Sequence, residues 1–206
     1  MKKKILVIAF SFMMVSATVF AQPFNYTIKP GDCIWDIADK YGCRPGDIIK
    51  LNPQMTNPRL VKPGQNVSVP SPSDTANAYE KEVIRLTNIE RSKAGLPALK
   101  ENAQLSKVAR LKSQDMANKG YFSHQSPTYG SPFQMMQSFG LRFSSAGENI
   151  AYGQRTPEEV VRAWMNSPGH RANILSRSYT EIGVGLARNK NGTPYWTQMF
   201  MQPTNR

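Results

Sequence analysis

Gly169-His170-Arg171-Ala172-Asn173-Ile174-Leu175 is the stretch whose reading decides the fold. Trp164 precedes it, and Glu181-Ile182-Gly183-Val184-Gly185 follows. Upstream lie Tyr121-Phe122-Ser123-His124 and Gly147-Glu148-Asn149-Ile150-Ala151. The chain holds 2 histidines, and both fall inside these blocks. So few imidazoles, each bracketed by Gly, Ser or Pro turns, point to a site.

Helices surround the blocks. Tyr79, Val83 and Leu86 share one helical face, and Gly95-Leu96-Pro97 ends that run. Leu105, Val108, Ala109, Lys112 and Met116 recur at helical spacing, with Gly120 as the stop. Thr156-Pro157-Glu158-Glu159 has the form of a capping box with proline at the first helical position. Ile182, Val184 and Leu186 alternate with small residues as a strand does, and Asn189-Lys190-Asn191-Gly192 turns the chain into a partner strand over Tyr195–Phe200. Helices around an antiparallel sheet predict an α/β/α sandwich over residues 77–202.

The blocks, in this order, resemble the CAP superfamily (cysteine-rich secretory, antigen 5 and pathogenesis-related proteins) in its bacterial form. The resemblance implies a cleft in which two histidines meet two acidic residues. His124, Glu148 and His170 match three of those positions. The fourth acid, three residues after the cleft tryptophan, would fall on Ser167, which carries no charge; Glu181 is the nearest acid in the following motif. Its alternative is an exposed sheet carboxylate or a partner for Arg171. Two neutral imidazoles can hold zinc with water in the remaining positions, so His124 and His170 are the candidate metal ligands, with a carboxylate nearby to orient a ring. His124, Glu148, His170 and Glu181 are also the only catalytic candidates. No Gly-x-Ser-x-Gly and no His-Glu-x-x-His is present, which favours a binding or scaffolding role. The Met135-Met136 pair offers an apolar groove for a lipid tail, or simply core.

Residues 25–70 read as a separate small module. Tyr26-Thr27-Ile28 is a short strand, and Asp32 in Pro30-Gly31-Asp32 is placed to cap a helix. Ile34, Ile37, Ala38 and Tyr41 recur at helical spacing, and Gly42 ends that helix. Pro45 to Leu51 forms a second helix, Asn52-Pro53 breaks it, and Asn66–Pro70 closes as a strand. The order is βααβ, and the whole chain is α+β. The module resembles a LysM domain through Tyr26–Asp32, Trp35-Asp36-Ile37-Ala38, Leu51-Asn52-Pro53 and Val61–Gln65. That resemblance implies binding of peptidoglycan or another N-acetylglucosamine polymer. By position the glycan groove would involve Gly31, Asp32, Cys33 and Ile34 on one side and Leu51, Asn52 and Pro53 on the other, with plain turn architecture as the alternative. Cys33 stands where the family usually has Thr or Ser. Residues 71–76 read as a short polar linker.

Lys2-Lys3-Lys4, the apolar run Ile5–Val19 and Val19-Phe20-Ala21 have the form of an export signal over residues 1–21, cleaved before Gln22. Nothing after it could serve as a stable transmembrane segment. Cleavage would lower the formal charge from +12 to +9, because residues 1–21 carry only three lysines. A basic exported protein is drawn to envelope polyanions. Its cations are scattered, and export removes the opportunity for nucleic acid. In an oxidising compartment Cys33 and Cys43 are disulfide candidates; the alternative is two small residues packed under a helix. The resulting expectation is a secreted protein of the cell wall or spore envelope, with envelope or spore-coat proteins as further partners. A metal-dependent hydrolase and a carrier of an apolar ligand are its rivals.

Overall fold

The computed structural model describes residues 22–204, so the expected signal over 1–21 lies outside the described residues. Two bodies of structure follow one another. In the first, β1 (Phe24–Thr27) pairs antiparallel with β2 (Asn66–Val69), and α1 (Ile34–Tyr41) and α2 (Pro45–Leu51) lie between them in sequence. Ile28, Ile34, Ile37, Ile48, Val67 and Val69 close a core of their own.

Local chemistry departs from the expectation at one end of α1. Asp32 does not cap it. Its carboxylate accepts from the Tyr26 hydroxyl at 2.6 Å and from Lys29 N at 2.8 Å, tying the turn to β1. Cys33 takes the capping place. Its Sγ accepts from Asp36 N at 3.4 Å and donates to Asp36 Oδ2 at 3.0 Å. A thiol thus stands in for the hydroxyl that normally satisfies an orphan N–H of the first turn. The disulfide candidate fails for the same reason. Cys33 is committed to its helix, Cys43 is buried in the small core, and both are free thiols.

The expected linker over 71–76 is also corrected. Only Pro70 and Ser71 separate β2 from α3 (Pro72–Lys93), with Ser71 at its N-cap position and Pro72 in its first turn. Proline suits that position because its missing N–H would be unpaired there anyway. The joint is therefore helical. Arg188, at the end of β5, donates to Gly42 O at 3.1 Å, and the Arg44 guanidinium sits 5.7 Å from the centre of the Tyr79 ring. Gly42 has a φ of +68°, and a Cβ there would lie 2.2 Å from Arg188 Nε. Only glycine both ends α1 and admits Arg188.

The second body is a four-stranded sheet in the order β3-β5-β6-β4, from β3 (Lys100–Glu101), β4 (Phe143–Tyr152), β5 (Glu181–Arg188) and β6 (Pro194–Pro203). β5–β6 and β6–β4 are antiparallel, and β3 runs parallel to β5. Ile182, Val184, Leu186, Trp196 and Phe200 face one layer of helices, formed by α3, α6 (Pro157–Met165) and α7 (Pro168–Ile174). Met199 and Met201 face the other, formed by α4 (Ala103–Lys119) and α5 (Pro132–Ser138). This is the expected sandwich. At α6 the Thr156 hydroxyl accepts from Glu159 N at 3.2 Å, while Glu159 reaches back to Arg155 N at 2.8 Å.

Candidate functional site: a cleft around the outer edge of β4

Among the described residues β4 ends the sheet, and no strand lies beside its outer edge. Side chains close that edge. Ala146 O accepts from the Tyr179 hydroxyl, Glu148 O from Asn173 Nδ2 and Ile150 O from Trp164 Nε1, each at 3.2 Å. An open edge invites pairing with another chain, and plugging its carbonyls prevents it. A cleft of about 730 Å³ wraps this edge. Phe122, His124 and Phe133 stand on one side, and His170, Asn173 and Tyr179 on the other, with Glu148 between them.

α4 presents His124 from beneath. Lys112, fully buried, donates from Nζ to His124 O at 2.7 Å and lies 5.3 Å from the centre of the Tyr121 ring. Burial pushes its ammonium below the ordinary lysine value, and the charges of Glu148 and Asp115 pull it back. One turn on, Asp115 accepts from the Tyr121 hydroxyl at 2.6 Å, from Ser126 Oγ at 2.7 Å and from the Thr128 hydroxyl. Burial raises its carboxyl, but those hydrogen bonds and the Lys119 charge outweigh it and hold the group at about 2. The loop carrying His124 is thus fastened to α4 by one buried cation and one buried anion. Neither was foreseen as functional; Lys112 stood on the apolar stripe of α4, and that breach of the pattern was the available signal.

His124 Nδ1 lies 2.6 Å from Glu148 Oε1, the imidazole half-exposed and the carboxylate buried. With Glu148 ionised, this bond puts the ring proton on Nδ1 and leaves Nε2 as the open nitrogen. The other oxygen, Glu148 Oε2, is buried without a hydrogen-bond partner. His170 comes from α7, and its carbonyl accepts from Asn149 Nδ2 at 3.1 Å. Burial, and secondarily the charge of His124, push its imidazole below the ordinary histidine value. Asn149 and Asn173 fasten α7 to β4: Asn173 Nδ2 donates to Asn149 Oδ1 at 2.9 Å.

Three of the four candidates therefore share the cleft, and Glu181 does not. It opens β5, beside β3 and on the far side of β6 from β4. Its carboxylate accepts from Asn102 Nδ2 at 2.6 Å, and Asn102 in turn caps α4 by accepting from Leu105 N. Glu181 braces a helix cap; Asn102, not Arg171, is its partner. Met135 and Met136 are fully buried in the core under β4, so they line no groove for a lipid tail.

The residues fit a zinc ion only in part. His124 and His170 each keep a nitrogen for it, and Glu148 is the carboxylate that orients the first ring. Among the described residues, however, no group of three or more His, Cys, Asp or Glu side chains is arranged to hold a metal. Such an ion would complete its shell with water.

In the small body the expected glycan residues divide. Gly31, Leu51 and Pro53 are exposed and Cys33 half-buried. Ile34 is core, and the Asp32 carboxylate is spent on its own turn. Asn52 is buried; its Nδ2 donates to Ile48 O at 2.7 Å and Ser68 O at 2.8 Å, and its Oδ1 accepts from Ser68 N at 2.9 Å. It braces α2 against β2 and presents nothing to a sugar. Trp35 and Leu60 were missed; both are large, apolar and exposed. Trp35 falls off the helical stripe of Ile34, Ile37, Ala38 and Tyr41, and that was the signal.

Fold and cleft together define a two-module protein: a small βααβ body docked on a sandwich with a histidine–carboxylate cleft. The chain belongs to the cysteine-rich secretory protein (CAP) family, whose model matches residues 84–200, and carries a LysM domain over residues 26–70. It is 58% identical over 136 residues to the Bacillus subtilis protein YkwD, covering 66% of this chain and 51% of that one. Over 46 residues it is 44% identical to SpoIVD-associated factor A of the same organism, covering 22% of this chain and 12% of that one. A crystal structure of an extracellular protein containing an SCP domain from Bacillus anthracis superposes with a TM-score of 0.60 at 35% identity, over 68% of this chain and 47% of the other. The chain spans about half the length of YkwD and far less of SpoIVD-associated factor A.

Proposed function

We propose that this chain is an exported envelope protein. Its LysM domain holds it on peptidoglycan or another N-acetylglucosamine polymer, and the CAP cleft serves as a binding site. The observation that carries the reading is the junction. The LysM domain has a closed core of its own, yet α3 starts directly behind β2 and Arg188 grips Gly42 O. A tether joined in this way holds the cleft at a set position over whatever the tether binds. The extracellular relative from Bacillus anthracis supports export. The likeness to the spore coat assembly protein ExsA of Bacillus cereus, 42% identical over 48 residues, supports the spore envelope as destination and spore-coat proteins as partners. Sedimentation with insoluble peptidoglycan tests the tether. Residues 22–206 should pellet, and the chain lacking 22–70 should stay in solution; equal retention of the two overturns the reading.

The hydroxyls that line the cleft support binding over covalent catalysis. Ser123 Oγ accepts from Gln125 N at 3.1 Å, and Ser131 Oγ caps α5 by accepting from Gln134 N at 3.2 Å. Both serve the backbone. The His124–Glu148 pair supports a second reading, a hydrolase that activates water; turnover on wall or protein substrate that a chelator abolishes would favour it. If zinc binds, it is held by His124 and His170 together. Calorimetry on the intact chain should then show affinity lost by about tenfold or more in each of His124→Ala and His170→Ala, the weakening expected when one of two ligands goes. Unchanged affinity in either variant removes that histidine from the site.

A further inference from the structure

The CAP domain leaves three large apolar side chains exposed among its described residues: Phe122 at 46%, Phe133 at 45% and Tyr152 at 52%. Phe122 and Tyr152 stand together at one end of the cleft, and Phe133 stands at the other, beside Phe143 at the start of β4. Phe122 and Phe133 line the cleft, and the Tyr152 ring lies 4.9 Å from that of Phe122. Two of them pack on a further ring: Tyr195 stands 5.8 Å from Tyr152, and Phe143 lies 6.4 Å from Phe133. Glu148, Ile150 and Tyr152 alternate along one face of β4, so the aromatic shelf continues about 13 Å from the histidine–carboxylate centre along the strand. Exposed aromatics confined to a cleft rim mark a binding surface.

The lining says what binds there. Among the residues that line the cleft none is Lys or Arg, although the chain carries 26 of them. A phosphate backbone or another polyanion would find no countercharge. A lipid tail would find a polar floor of His124, Glu148, His170 and Asn173, and the methionines beside it are already core. An extended peptide would add as a strand to β4, but the carbonyls of Ala146, Glu148 and Ile150 on that edge are taken by Tyr179, Asn173 and Trp164. A sugar ring remains. It has an apolar face for an aromatic ring and a rim of hydroxyls for imidazole, carboxylate and amide.

We infer that the CAP cleft is a second saccharide site, which takes a neutral N-acetylated glycan across Phe122 and Tyr152 toward His124 and His170. The choice of polymer rests on the LysM reading above; the aromatic shelf does not. Two sites on one chain, bound to one polymer, raise the effective concentration of the second contact.

The test uses the intact mature chain and soluble N-acetylglucosamine oligomers, followed by NMR. The two imidazoles report the CAP cleft and the Trp35 indole reports the LysM domain. The imidazole resonances should move with oligomer. Phe122→Ala with Tyr152→Ala should weaken that response about tenfold or more, with the Trp35 response intact, since stacked rings contribute on that scale. Phe122→Tyr should restore it. Imidazoles that move while Trp35 stays still would sustain this inference and overturn the LysM reading. Movement of Trp35 alone overturns the inference, as does an imidazole response to wall stem peptides in place of the oligomers.

Discussion

The sheet of the CAP domain has two uncovered edges, and the chain closes them by different means. Beyond the two residues paired with β3, β5 has no strand outside it among the described residues. There Val184 N donates to Ser106 Oγ and Leu186 N to the buried Glu80, which Arg110 holds at 2.8 Å. Helix backbone presses on the same strand. At the β4 edge the plugs are the tips of Tyr179, Asn173 and Trp164, and a cleft opens among them. Both edges are plugged by side chains, but those on β5 come from helices packed directly on the strand, and those on β4 leave a ligand-sized space. The lesson is that a free sheet edge becomes a site where the plugging side chains reach in from a distance, and not from helices packed directly on the strand.

The sharpest way to break this comparison is to add one methyl group at the β5 edge. A Cβ on Gly185 would lie 2.1 Å from Arg110 N and 2.2 Å from Ala109 C. Neither atom can move without shifting α4. Gly185→Ala should therefore cost about 3 kcal/mol or more, at or beyond the usual range for overpacking. Thermal unfolding measures it. A loss below 1 kcal/mol would show that α4 slides, and that the β5 edge is no more rigid than the cleft.

The next largest effects lie beneath the cleft. Lys112→Met keeps the stem and removes the donor to His124 O. A carbonyl left unpaired at a half-buried site costs about 1–3 kcal/mol. Denaturant unfolding should show that loss, and the His124 imidazole resonance should broaden as its loop loosens. Asp115 adds a pH dependence of definite sign. Its carboxyl is held at about 2 in the fold, below the ordinary value of 3.8. The unfolded chain binds that proton more readily, so stability falls as pH drops from above 4 toward 2. Acid unfolding followed in wild type and Asp115→Asn should differ in that window. Identical curves would remove Asp115 as the fastening of the loop.

How much of this could be read from the chain alone varies by region. Apolar spacing made α1, α2, α4 and the body of α3 legible, and the Thr156 cap did the same for α6; the cap of α1 and the first turn of α3 were misread, and Pro168–Ile174 was not read as a helix. β5 and β6 were legible, since there β-branched and aromatic residues alternate with small or polar ones. β4 was not read as a strand, although its block was singled out. Gly147, Glu148 and Asn149 are poor strand formers, and residues Gly147–Ala151 are buried on both faces, which erases the period of two. His124, Glu148 and His170 were legible through their register. Glu181 was misplaced because proximity in sequence to the His170 block says nothing of the two strands between it and the cleft. The cap at Cys33 was missed because a thiol is a weak capping acceptor and Asp32 beside it a strong one. Asp32 was already claimed by Tyr26, a contact across six residues that no local rule registers.

The smallest expected effect is the counterpart of the first. A Cβ on Gly147 would meet the Tyr179 hydroxyl at 2.6 Å and Asn173 Oδ1 at 3.1 Å. Both are ends of side chains, free to swing toward the cleft at the loss of one hydrogen bond each. Gly147→Ala should therefore cost only about 1–2 kcal/mol, the net worth of two such bonds, and unfold with the same cooperativity as wild type. Its mark should fall on the cleft. Tyr179 would release Ala146 O and Asn173 would turn from Asn149, so the His170 wall would shift while the β5 edge stayed unmoved. Hydrogen exchange can read both edges in one experiment: faster exchange around β4 and α7, unchanged exchange along β5. If the loss equals that of Gly185→Ala, the β4 edge is as closely built as its opposite, and the cleft is a fixed mould whose side-chain plugs do not yield.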